Sequence, residues 1–133
     1  MLTICDTNVL LFWADRRDRL TVTAQQALEN GRAEGNLACS GISFWEIAML
    51  FRKSRLILPA QHTPTSYMDD IVDSLGLNIL PLTPAIATLA ESGIIAHGDP
   101  GDRLIAATAI AHQAPLITAD EKLRAAPILR CIW

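Results

Sequence analysis

Two kinds of apolar segment alternate along this chain. Short, solid apolar runs occur at residues 1–5 (MLTIC), 36–41 (NLACSG), 77–82 (LNILPL), 115–118 (PLIT) and 128–133 (ILRCIW), and read as buried strands. Between them, over 7–14, 21–35, 43–56, 63–76, 83–93, 99–113 and 120–126, apolar residues recur at helical spacing. The punctuation agrees with that division. Gly35 closes the second helical segment, and Ser43 opens the third, which ends in a basic turn of Arg52, Lys53 and Arg55. Pro64, Pro84 and Pro100 each fall where a first helical residue belongs. Fully apolar strands separated by helices predict an α/β fold, a parallel sheet covered on both faces. Such sheets place ligand sites at the carboxyl ends of the strands, where the strand order reverses.

Composition narrows the class. Of 133 residues, 50% are apolar and 19% charged, which predicts one folded domain over 1–133. A net charge of −3 excludes a protein that grips nucleic acid by charge alone. Contact with nucleic acid then requires a local basic patch or a bound cation. Cys5, Cys39 and Cys131 are odd in number, form no CxxC pair and sit in apolar runs. They read as free thiols of a reducing compartment rather than disulfide or zinc ligands. No basic leader precedes the first apolar run, and "VLLFWA" is far short of the ~20 residues that span a bilayer. The expectation is a cytoplasmic domain with no membrane partner. A serine-hydrolase elbow and a glycine-rich phosphate loop are both missing. His62, His97 and His112 are scattered, and are expected at the surface or at caps.

The acidic residues carry the chemistry. Each has a structural account when taken singly. Asp6 and Asp120 follow strands and precede helices, as N-caps do, and Asp99 precedes Pro100 in the same way. Ser43 and Glu46 are spaced as a capping box, and Asp102 is a favourable first-turn acid. Taken together they say more. Asp6 and Asp120 should project from one edge of the sheet, with Glu46 and Asp102 in the first turns of helices that begin there. Four carboxylates converging in a partly desolvated cleft repel one another. A hard divalent cation with oxygen ligands, Mg²⁺ or Mn²⁺, resolves that conflict and suits phosphodiester hydrolysis. Arg16, Arg17 and Arg19 form the densest basic cluster, just beyond the first helix, and are candidate phosphate contacts.

The segments CDTNVLLFW, SFWEIAML, DPGDRLIAATA and LITADEKL resemble, in order, the four acidic motifs of PIN-domain ribonucleases. A chain that is little more than this domain is similar to the VapC-type toxins of bacterial toxin–antitoxin modules. The HGDPGDR stretch resembles a PIN subgroup in which DP-any-DR opens the helix bearing the third acid. The resemblance implies a three-layer α/β/α fold with a parallel, roughly five-stranded sheet. It implies Asp6, Glu46, Asp102 and Asp120 as metal-binding and catalytic residues, and Mg²⁺-dependent endoribonuclease activity. Thr7, Asn8 and Thr118 flank the quartet and are expected to orient carboxylates or water, and Asp99 is expected to support the site from behind the ligands or to cap its helix. Gly101 departs from the pattern, where a bulky residue is usual between the proline and the acid.

Two other readings compete. One is a catalytically inactive PIN module that binds RNA or a protein. The other is a haloacid-dehalogenase-type phosphatase, which also starts with an aspartate after the first strand. That chemistry needs a second aspartate two positions on, where this chain has Asn8. Phe12, Trp13, Phe44, Trp45, Met49 and Phe51 are more bulky residues than one buried face per helix requires. They predict a homodimer and a groove for a cognate antitoxin.

Overall fold

The computed structural model describes residues 1–133. In chain order its elements are β1 (Thr3–Cys5), α1 (Thr7–Asp15), α2 (Val22–Glu34), β2 (Leu37–Ser40), α3 (Ile42–Arg52), α4 (Pro64–Leu75), β3 (Asn78–Leu80), α5 (Pro84–Ala90), α6 (Pro100–Ala111), β4 (Leu116–Ile117), α7 (Glu121–Arg124) and β5 (Cys131–Ile132). A 3₁₀ turn over Arg17–Arg19 joins α1 to α2. The strands form one sheet in the order β3-β2-β1-β4-β5, and every pairing is parallel. The sequence-based α/β expectation therefore holds.

Strand residues point alternately to two helical layers, as the two-residue period of a strand demands. Cys5, Leu37, Cys39 and Ile117 enter a core shared with α1, α2, α3 and α4. Their neighbours Ile4, Ala38 and Leu116 enter a second core with Ile105, Ala106 and Ala109 of α6 and Leu123 of α7. Both faces of the sheet are covered, which is why the strands carry no polar alternation. Helix α5 packs on the outside of α6 through Ile86, Ala90 and Ala107. No helix is long and apolar enough to cross a membrane.

The ends of several elements differ from the periodicity. Helix α3 stops at Arg52, because Ser54 turns to a φ of +56°. The Arg55 amide then reaches back to the Leu50 carbonyl at 2.9 Å, a left-handed helix stop. Helix α5 stops at Ala90, where the amides of Glu91 and Ser92 switch to carbonyls three residues back. The paired strands are shorter than the apolar runs, and β5 is only Cys131–Ile132. Ser43 does not open α3. The cap position is Gly41, and the Ser40 hydroxyl accepts from the Ile42 amide at 3.2 Å.

The order of strands reverses between β1 and β4, both central. Parallel sheets open a crevice beyond the carboxyl ends of such a pair. Asp6 directly follows β1, and Thr118 and Asp120 follow β4. The topology thus delivers these residues to one place.

Candidate functional site

Three of the acids are held by the helices they start. Asp6 caps α1, its Oδ1 accepting from the Thr7 amide at 2.8 Å. Asp99 caps α6, its Oδ1 accepting from the amides of Gly101 at 2.8 Å and Asp102 at 3.2 Å. Asp120 caps α7, its Oδ1 accepting from the Leu123 amide at 3.0 Å. Capping and a site role are not alternatives here. A carboxylate that spends one oxygen on its helix amide is oriented by it, and in Asp6 and Asp120 the second oxygen is left for another partner.

What the second oxygens meet defines the site. Oδ2 of Asp6 accepts from the Thr118 hydroxyl at 2.7 Å, and that hydroxyl accepts from the Asp120 amide at 3.0 Å. Oδ2 of Asp120 lies 3.1 Å from Nε2 of His97, and Oδ2 of Asp102 lies 3.3 Å from the same nitrogen. Glu46, in the second turn of α3, accepts from the Thr7 hydroxyl at 2.6 Å. Thr7 spends its only hydroxyl proton there, so the Ser43 hydroxyl, 2.8 Å away, is the donor to Thr7. Ser43 and Glu46 therefore do not form a capping box. Both side chains turn away from their own helix, toward the start of α1.

Two sets of ligating atoms come within 4.8 Å of one another: His97, Asp102 and Asp120, and Glu46, Asp99 and Asp102. Asp102 belongs to both. Asp6 belongs to neither set; it is only 4% exposed, and its charge raises both Glu46 and Asp102.

The electrostatics record the crowding. Burial, then the charges of Asp6 and Asp99, push the Asp102 carboxyl up to about 7. Burial raises Glu46 too, against the lowering effect of the Thr7 hydroxyl. Asp6 is raised by burial despite its bonds to Thr118 and Thr7. Asp120 goes the other way. Burial pushes it up, but the Leu123 amide and the His97 bond outweigh that and hold it below the ordinary range.

Of the flanking residues, Thr7, Thr118 and Asp99 make the contacts described, whereas Asn8 is exposed. Asn8 instead lines a cleft of about 360 Å³ whose polar wall is Asp15, Arg16, Arg19 and Arg55. Within the basic cluster, Arg16 pairs with Asp18 at 3.0 Å. Arg17 folds back, its guanidinium 4.5 Å from the Trp13 ring centre and donating to the Trp13 carbonyl. Arg19 lies 5.2 Å from the Phe12 ring centre. Arg16 and Arg19 thus line the cleft and Arg17 does not. Arg55, read from sequence only as part of a helix-ending turn, joins them.

His62 bonds Ser66 at 3.2 Å, and His112 is the exposed C-cap of α6, as expected of scattered histidines. His97 departs from that expectation. Its side chain is 8% exposed and lies among the acids. Its partner Asp120 is 23 residues further on, so no local pattern announces the pair.

The departure at Gly101 also has a reason. A Cβ at that position would collide with the carboxylate of Glu46. The glycine makes room for Glu46 against the first turn of α6.

The chain and its fold are similar to those of known proteins. The PIN domain family profile matches residues 3–129. Ribonuclease VapC22 of Mycobacterium tuberculosis is 33% identical over 122 residues, covering 91% of this chain and 88% of that protein. The fold is similar to VapBC2 from Rickettsia felis bound to a promoter DNA fragment, with a TM-score of 0.71, 21% identity and coverage of 98% and 97%. It is also similar to a toxin–antitoxin complex from Klebsiella pneumoniae, with a TM-score of 0.64, 23% identity and coverage of 96% and 94%. With the profile spanning nearly the whole chain and a relative above 30% identity over most of it, this chain belongs to the PIN domain family.

Proposed function

We propose that this protein is a Mg²⁺-dependent endoribonuclease, the toxin of a toxin–antitoxin pair, with Asp6, Glu46, Asp102 and Asp120 as its metal-binding and catalytic residues. The observation that carries the reading is Asp102, whose carboxylate lies within 4.8 Å of a carboxylate oxygen of Asp120 in one group and of Glu46 and Asp99 in the other. The likeness to Ribonuclease VapC22 supports the substrate class.

The residues fit a hard divalent cation. The carboxylates supply only oxygen donors, which Mg²⁺ and Mn²⁺ prefer. Burial and neighbouring charges raise the carboxyls of Asp6, Glu46 and Asp102, with Asp102 held at about 7, while Asp120 is held low by its bonds, so a positive charge beside the raised acids relieves a standing conflict. When bound, Mg²⁺ supplies Lewis acidity toward a phosphodiester oxygen and the attacking water. The chain supplies the rest. Asp6 is locked by Thr7 and Thr118, and Glu46 by Thr7, so their oxygens need no reorganisation. Arg16, Arg19 and Arg55 outnumber Asp15 on the wall of the cleft that includes Asn8, although Arg16 is paired with Asp18, and this local cationic excess suits RNA phosphates.

The same cleft has an apolar floor of Leu11, Phe12, Leu50 and Leu56. It suits the amphipathic segment of an antitoxin, which would compete with RNA for the same ground. Among the bulky residues that predicted an exposed patch, Trp45 alone stays exposed, at 60%. Trp45 is our candidate for a homodimer contact, with Phe12, Trp13, Phe44 and Phe51 packed on the core.

The deciding experiment incubates purified protein with a mixed RNA pool in Mg²⁺, Mn²⁺, Ca²⁺ or EDTA. Cleavage is expected with Mg²⁺ and Mn²⁺. Ca²⁺ should bind but support little turnover, because its looser coordination misplaces the water. Full cleavage in EDTA would overturn the metal mechanism. Binding of RNA without cleavage under any condition would establish an inactive binding module instead.

A further inference from the structure

His97 touches the site through both ring nitrogens, and the two contacts make opposite demands. Nδ1 lies 3.0 Å from the Asp99 amide nitrogen, which can only donate. Nδ1 must therefore offer its lone pair, leaving the ring proton on Nε2. Nε2 faces two acceptors, Oδ2 of Asp120 at 3.1 Å and Oδ2 of Asp102 at 3.3 Å. The other neutral tautomer would set N–H against N–H at Asp99 and a lone pair against both carboxylates. A doubly protonated ring would keep the first of these clashes.

The backbone beneath the ring is anchored as well. Arg103 Nη1 donates to the His97 carbonyl at 2.8 Å, and Arg103 Nη2 is braced by Glu91 at 3.1 Å. The ring is thus held by a loop tied to α6, the helix that carries Asp102, while it reaches across to the cap of α7.

We propose that His97 is a positioning residue of the metal site. Its Nε2–H draws the Oδ2 atoms of Asp102 and Asp120 to one point, and His97 is not itself a ligand. The inference rests on reading these carboxylates as the metal site. Two like charges would otherwise turn apart in the metal-free protein, and a cation would have to reassemble them. An N–H donor between them holds the spacing. Ligation by Nε2 would require the tautomer that the Asp99 amide opposes.

Two substitutions separate the two nitrogens. In His97→Gln the side-chain amide nitrogen reaches the Nε2 position, keeping the donor and losing the acceptor for Asp99. In His97→Asn the side chain reaches only the Nδ1 position, keeping that acceptor and losing the donor. With Mn²⁺ alone as probe, read by calorimetry or electron paramagnetic resonance, affinity should fall about 10–100-fold in His97→Asn, the usual cost of losing a ligand's hydrogen-bond partner. His97→Gln should stay close to wild type. The reverse order, or equal losses, would reduce His97 to a prop for the Asp99 loop and overturn the proposal. Independently of either variant folding, ¹⁵N spectra of wild-type protein should show a protonated Nε2 and a bare Nδ1, unchanged on adding Mg²⁺. Loss of the Nε2 proton with Mg²⁺ would make His97 a ligand and refute the positioning role. Wild-type protein that binds no Mn²⁺ at all would defeat the metal-site reading as well, a result distinct from every variant-specific outcome.

Discussion

The Thr118 hydroxyl donates to Oδ2 of Asp6 across 2.7 Å, joining residues 112 positions apart beyond the ends of the central strands β4 and β1. The Thr118 hydroxyl oxygen in turn accepts from the Asp120 amide at 3.0 Å, so one hydroxyl sets the spacing of two acids. Thr118→Val keeps the shape and removes the donor. An acceptor left unpaired at a buried site costs about 1–3 kcal/mol. The variant should lose about that much in denaturant unfolding, while Thr118→Ser retains most of it. Wild-type stability in the valine variant would show that Oδ2 of Asp6 needs no donor.

A second prediction concerns the crowded acids themselves. Asp102 is raised by burial and then by the charges of Asp6 and Asp99. Asp102→Asn removes one charge at nearly constant volume. It leaves the helix start intact, because the cap is Asp99. Thermal stability of the metal-free protein should be equal or higher, while Mg²⁺ affinity and RNA cleavage collapse. Asp6→Asn should behave alike, since asparagine caps a helix about as well as aspartate. A variant that melts far earlier yet still cleaves RNA would make that acid structural.

These two predictions differ in how far the sequence foretold them. Asp6, Asp99 and Asp120 announce themselves because a cap satisfies amides within three residues of itself. The carboxyl ends of β1 and β4 were legible for a similar reason, since solid apolar runs end abruptly at polar residues. The pairings across elements were not. Ser43 and Glu46 have the spacing of a local capping box, yet both turn to Thr7, 36 and 39 residues earlier. His97 was invisible as a site residue because its meaning depends on Asp120, which only the packing of α6 beside β4 brings near. Arg55 reaches the cleft because Ser54 adopts a left-handed turn that nothing in its side chain requires.

The shifted carboxyls predict a pH dependence with a definite sign. Asp102 ionises at about 7 in the folded protein and at 3.8 as an ordinary aspartate. Between those values the folded state holds a proton that the unfolded chain has released. Stability from this group is therefore fully present below the ordinary value and lost as pH rises through about 7. Asp6 and Glu46, also raised, act in the same direction. Asp120, lowered, opposes them, its contribution being present above the ordinary value and lost only as pH falls through its depressed one. Metal-free protein should thus melt higher at pH 5.5 than at pH 8. For a domain of this size each 1 kcal/mol moves the midpoint by about 3–6 °C. Saturating Mg²⁺ should narrow the gap, because the ion displaces protons from its ligands and so stabilises most at high pH. A metal-free melting point that rises steadily from pH 5.5 to 8 would refute the crowded-acid account.

The acidic crevice should also shape inhibition by a partner. A basic side chain reaching into it would pair with Asp102 and Asp120 and exclude a cation. If an antitoxin covers the cleft of Leu11, Phe12, Leu50 and Leu56, its apolar contacts supply affinity and its basic residue supplies inhibition. Replacing that residue of the partner by alanine should restore RNA cleavage by at least about tenfold, equivalent to about 1.4 kcal/mol, while the complex still co-elutes. Undiminished inhibition would place the block at the cleft rather than at the acids.

The last prediction turns on Gly101, the second residue of α6. A methyl group there would overlap Oε2 and Cδ of Glu46, the end of a flexible side chain rather than backbone. Gly101→Ala should therefore be accommodated by moving Glu46, not by unfolding the helix. The helix itself should benefit, because alanine exceeds glycine by up to about 1 kcal/mol in helix propensity. The displaced carboxylate, however, would give up its bond to Thr7 and its place near Asp99 and Asp102. The expected outcome is a protein that melts at or above the wild-type temperature but binds Mn²⁺ and cleaves RNA more weakly. Combining Gly101→Ala with Glu46→Asp, which shortens the displaced side chain, should recover part of the Mn²⁺ affinity. If Gly101→Ala alone binds Mn²⁺ as the wild type does, the position of Glu46 against α6 is irrelevant to the site, and Glu46 loses its place among the ligands.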